Sequence, residues 1–77
     1  MVEVIGIIEG IVFRNEDNGF SVVEVREEGK NNLVTAVGNF PFVNQGERVR
    51  LIGEWTTHPE YGQQLKMETY SSVAPSS

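Results

Sequence analysis

One histidine, no cysteine and five serines, four of them within the last seven residues, leave this chain of 77 residues few groups able to make or break bonds. His58 stands just before Pro59, with no second imidazole and no thiolate to complete a zinc site. A nucleophile–base pair would have to be built from that same single imidazole. No GxxxxGK[ST] stretch occurs, so the chain carries no phosphate-cradling loop of its own. The adjacent carboxylates Glu16/Asp17 and Glu27/Glu28 fall in polar, glycine-containing stretches and read as solvated turn acids rather than as an acid–base pair. The chain by itself is therefore not expected to be an enzyme, and no catalytic residue, metal site or cofactor of its own is expected.

What remains is binding chemistry, supplied by cations and aromatic rings. Alternation in RVRLIGEW puts Val49 and Leu51 on one strand face and Arg48, Arg50 and Glu54 on the other. In the next segment Leu65 and Met67 take the inward positions, and Gln64, Lys66, Glu68 and Tyr70 the outward ones. A symmetric hairpin around Thr56–Gly62 would set Arg50 near Glu68 and Lys66 near Ile52. Two readings follow: a solvated face with one cross-strand ion pair worth well under about 1 kcal/mol, or a nucleic-acid contact face that presents Arg48, Arg50 and Lys66. The net charge of −5 works against the second. Residues 1–28 hold seven acids and two bases, however, and residues 29–77 four of each, so the acidity belongs to one part of the chain.

Among the rings, Trp55 shares the inward parity of Val49 and Leu51 and is expected in the core. Phe13 and Phe20 flank the NEDNG turn, where they can pack on each other. Phe40 and Phe42 bracket Pro41 and are expected to plug one end of the fold. Tyr61, with His58 beside it, lies in a loop, where it either stacks on a base or packs locally.

The elements that must carry these residues are short. Between Gly10 and Gly62 no stretch free of Gly and Pro exceeds nine residues, which leaves no room for a helix of average length, about 11–12 residues. The apolar runs are rich in Val, Ile, Phe, Thr and Tyr and are separated by Gly/Asn/Pro turns, the pattern of an all-β barrel. Five strands are predicted: Val2–Arg14, Phe20–Glu27, Leu33–Gly38, Glu47–Trp55 and Gln63–Tyr70. The first carries Gly6 and Gly10, where a strand can coil to serve both ends of a small barrel. The Asn39–Gly46 connection is too short for more than one helical turn. These features predict a small five-stranded OB-like barrel over residues 1–70 with a short loop in place of the usual helix. An SH3-like barrel or a small sandwich would leave a similar trace. Residues 71–77, serine-rich around Pro75, are expected to form a flexible tail or linker. No apolar run approaches the roughly 20 residues of a membrane helix, and no basic leader precedes one. With the absence of cysteine, this suits a cytoplasmic protein.

Three segments carry a family likeness. FRNEDNGFSVVEV, VGNFPFVNQGERVRLIGEW and HPEYGQQLKMETY, in that order, resemble the N-terminal domain of bacterial RecD-like ATP-dependent DNA helicases, the long form of the exodeoxyribonuclease V alpha subunit. The resemblance runs from about Gly6 to Pro75. It implies an OB-like domain followed, in the parent protein, by helix-hairpin-helix elements and a RecA-like motor that uses ATP and Mg²⁺ to move 5′ to 3′ on DNA. None of the motor residues maps onto this chain. The partners implied are the remaining domains of that helicase and single-stranded DNA, with Arg48, Arg50, Lys66 and Lys30 on phosphates and Tyr61 and His58 on bases. Four such contacts imply a log–log salt slope near about −3. The alternative is a protein-docking module that binds no DNA.

Overall fold

Alternating apolar residues and closely spaced turns produce five strands: β1 (Val2–Arg14), β2 (Phe20–Glu27), β3 (Leu33–Asn39), β4 (Arg48–His58) and β5 (Gly62–Ser72). The computed structural model describes residues 1–40 and 43–73. Pro41 and Phe42, half of the expected plug, lie outside the described residues, as does the end of the expected tail.

The strands close into a barrel in the order β1-β2-β3-β5-β4, with β4 returning to β1. This is the OB barrel, not an SH3-like barrel or a sandwich, and no helix occurs among the described residues. Every pairing is antiparallel except β3–β5, a short parallel contact at Ala36↔Leu65 and Val37↔Lys66. β1 serves two neighbours, pairing with β4 through Val2–Ile7 and with β2 through Gly6–Arg14. Register shifts between Ile8 and Gly10 and between Ile11 and Phe13 supply the coiling this needs. Where β1 passes from one partner to the other, a Cβ on Gly6 would fall under 3.0 Å from the Arg26 carbonyl oxygen. Gly53 is equally tight against the carbonyl of Lys66, so both positions require a bare backbone.

The inward positions fill the barrel. Val23 and Val25 from β2, Val49 and Leu51 from β4, and Leu65 and Met67 from β5 meet Val4 and Ile8 of β1. Phe40, fully buried, seals one end as expected, against Val43 and the ring of Tyr70 at 5.4 Å. Each such side chain contributes about 1.5–3 kcal/mol by leaving water.

Three expectations are corrected. β5 carries a bulge: Ile52 pairs with Thr69 but Gly53 with Met67, which leaves Glu68 unopposed. One extra residue reverses the parity beyond it, so Tyr70 turns inward onto Phe40 instead of outward. The turn is also centred one residue later than expected, with His58 opposite Gly62, which places Lys66 opposite Glu54 rather than near Ile52. The bulge adds a further step, so that Arg50 lies opposite Ser71 rather than near Glu68. Trp55 is 43% exposed, not core. The pairing of β1 with β4 ends at Val2↔Gly53, so beyond Gly53 β4 has a neighbour on one side only, β5, whose Lys66 and Leu65 still pair with β3; past Trp55 the hairpin runs on as a two-stranded ribbon. The inward parity of Trp55 therefore faces an open rim. That ribbon is paired as far as His58↔Gly62, which makes both strands longer than expected, and β5 continues through Ser72.

Candidate functional site

Two turns and one sheet face converge on the outside of the barrel. The β1–β2 turn is built by asparagines. Asn15 Oδ1 accepts from the Asp17 N–H at 2.9 Å, Asn18 Oδ1 accepts from the Phe20 N–H at 2.9 Å, and the Gly19 N–H donates to the Asn15 carbonyl. These Asx bonds hold the chain in a tight reversal. The reversal brings Phe13 and Phe20 together, with centroids 6.5 Å apart at 58°. Both rings nevertheless stay exposed, at 52% and 38%.

The β4–β5 turn is built by a histidine. His58 Nδ1 accepts from the backbone N–H groups of Glu60 and Tyr61, at 3.0 and 3.2 Å. Accepting at Nδ1 requires that nitrogen to be unprotonated. The same bonds lay the imidazole against the Tyr61 ring, 4.6 Å away at 31°, while Tyr61 stays 74% exposed.

Between the two ring pairs runs an open groove of about 720 Å³, floored by outward-facing residues of β2 and β3, chiefly Val22, Glu24, Thr35 and Val37. The face built from strands two and three, flanked by the β1–β2 and β4–β5 loops, is where OB domains take up oligonucleotides and oligosaccharides. Tyr61 and His58, expected in a binding loop, are both in this groove. Phe13 and Phe20 join them, and the alternation in FSVVEV, with Phe20, Val22 and Glu24 on one face, was the signal available for that wall.

The cations are distributed differently. Arg48 and Arg50 project from the outer side of the β1–β4 pair, where Arg48 meets Glu28 at 2.7 Å and Arg50 meets Glu3. Lys30 lies 3.5 Å from Glu27, beside a second cleft that also includes Leu33 and Trp55. Arg14 donates from Nη2 to the Val43 carbonyl at 2.7 Å. Arg26 meets Glu9 at 3.0 Å; its hydrogen bond, opposed by desolvation and aided less by its charge, holds the Glu9 carboxyl below the ordinary carboxylate range. Of the four cations expected on phosphates, only Lys66, paired with Val37 across the β3–β5 contact, stands next to the groove. The turns that carry the rings also carry exposed acids, Glu16 and Asp17 in one and Glu60 in the other. The site is thus an aromatic, mostly apolar groove with an acidic rim and one adjacent lysine. Among the described residues no cluster of three or more His, Cys, Asp or Glu is placed to hold a metal ion, and no helix is long and apolar enough to cross a membrane.

Residues 1–75 match the family model described as the OB-fold domain of the ATP-dependent DNA helicase YrrC. No curated protein matches the chain.

Proposed function

The chain belongs to the family of OB-fold domains of the ATP-dependent DNA helicase YrrC, and we propose that it is the accessory N-terminal domain of a cytoplasmic, RecD-like 5′–3′ DNA helicase that holds single-stranded DNA by stacking and guides it relative to the motor. The observation that carries this reading is the placement of four rings, Phe13, Phe20, His58 and Tyr61, around one groove on the β2–β3 face. Exposed aromatic rings have a solvation cost in the free protein that stacked bases remove, and each base so held is worth about 1–3 kcal/mol. Two ring pairs holding one base apiece supply at most about 6 kcal/mol, a Kd of tens of micromolar at best. That strength suits a domain that steers a strand and lets it slide. The motor, elsewhere in the parent helicase, would supply ATP hydrolysis with Mg²⁺.

The test is fluorescence anisotropy of a labelled mixed-sequence single strand titrated with the domain, native and Tyr61→Ala. Tyr61 is mostly solvent-exposed, so its truncation leaves the barrel intact. The variant is expected to bind about 5- to 150-fold more weakly, the equivalent of one lost stacking platform. Equal affinity would move the contact away from the groove.

A second reading is favoured by the acidic rim of Glu16, Asp17 and Glu60 together with Glu24 inside the groove. It makes the groove a dock for a basic, apolar segment of the same helicase. It gains if the native domain leaves the labelled strand free at concentrations near a millimolar.

A further inference from the structure

The groove contains one carboxylate that the fold does not use. Glu24 lies half-buried in the groove floor, next to Val22 on its own strand face and opposite Thr35 across the β2–β3 ladder. Its carboxylate makes no hydrogen bond or ion pair with another described residue. The nearest cation on the same face of β2, Arg26, is taken by Glu9 through two hydrogen bonds. Across the β1–β2 ladder Glu24 faces Gly10, where a Cβ would meet no atom within 4 Å, so the surface beside the carboxylate is bare.

An ionised carboxylate only accepts hydrogen bonds, and its two oxygens can take two parallel N–H donors. Partial desolvation by Val22 and Val37 raises the cost of leaving it unpaired. It repels phosphate, so the part of a DNA strand that fits against it is a donor edge of a base. The four bases differ in this respect. Guanine offers adjacent N1–H and N2–H donors, cytosine and adenine offer one exocyclic amine beside a ring acceptor, and thymine has a single N–H between two carbonyls.

We infer that Glu24 makes the groove select guanine-bearing single strands over thymine-only ones, by accepting the N1–H and N2–H pair of a base stacked among the flanking rings. This rests on the stacking reading of the groove and assigns its base preference. Gly10 leaves the room that the base edge needs, and the sugar–phosphate chain stays on the outer, solvated side.

The experiment compares the native domain and Glu24→Gln against three labelled hexamers: all-thymidine, the same strand with one central dG, and the same with inosine there. Circular dichroism checks the fold of the variant, which loses no partner. The native domain is expected to bind the dG strand about 5- to 150-fold more tightly than the thymidine strand, the range for one bidentate contact. Inosine, lacking N2–H, is expected to lose most of that gain. Glu24→Gln is expected to bind all three strands alike, because its amide replaces one acceptor by a donor. Equal binding of the dG and thymidine strands by the native domain overturns the assignment and leaves the stacking reading standing, as does a dG preference that survives in Glu24→Gln. Failure to bind any of the three overturns both.

Discussion

Raising the salt concentration separates stacking from phosphate binding, and the ion pairs set the size of the effect. For single strands, the log of affinity falls with the log of salt with a slope of about −0.7 per phosphate contact. If Arg48, Arg50, Lys30 and Lys66 all contacted phosphates, the slope would be near −3, and affinity would fall about 50-fold between 50 and 200 mM salt. The first three each face a glutamate, at 2.7 Å for Arg48 and 3.5 Å for Lys30, and none borders the groove. Lys66 alone remains beside it. One contact gives a slope near −0.7 and a loss of only about 2.6-fold over the same range. The assay is anisotropy of a labelled mixed-sequence strand at four salt concentrations, with native domain, Lys66→Gln, and the double variant Arg48→Glu/Arg50→Glu. Lys66→Gln is expected to flatten the slope to near zero, and the double variant to keep the native slope. A native slope near −3 that collapses in the double variant would refute the argument, because it would mean that the arginines leave Glu28 and Glu3 to bind the strand.

Three further outcomes follow from the fold. Gly53→Ala drives a Cβ into the Lys66 carbonyl at a backbone–backbone crossing. It is expected to cost about 3 kcal/mol or more, which lowers Tm by at least about 12 °C for a domain of this size in a thermal scan; an unchanged Tm would show that the strands can separate there. The Glu9 carboxyl titrates below its ordinary value because of Arg26, so the pair's contribution is present above the ordinary carboxylate range and lost as pH falls through the lowered native value. Arg26→Gln should return Glu9 to the ordinary range in an NMR titration, and an unmoved titration would deny the pairing in solution. Trp55, 43% exposed on the rim, should emit as a solvated indole and be quenched by acrylamide in the native domain; a shielded, blue-shifted emission would return it to the core.

The residues that determine the fold act locally, which is why the fold is legible in the sequence. Glycine and proline spacing excludes helices, Val- and Ile-rich alternation sets the inward faces of β2 and β4, and Phe40 at the end of β3 becomes the barrel plug. The placement of His58 and Tyr61 in one turn is equally local, since both belong to the same short reversal. Relations between strands needed the tertiary structure. The bulge at Glu68 shifts the register of β4 against β5 and turns Tyr70 inward, because strand parity counts every residue and alternation alone shows no insertion. Trp55 keeps its inward parity but loses its cover, since where β1 stops pairing with β4 depends on the length of a different strand. The partners of Arg48 and Arg50 come from Glu28 and Glu3, 20 and 47 residues away along the chain, and only barrel closure puts those charges within reach. The groove has the same origin. Each of its walls is visible in the sequence as an exposed strand face or a turn, but a cavity between β2, β3 and two loops exists only once the strands close on one another.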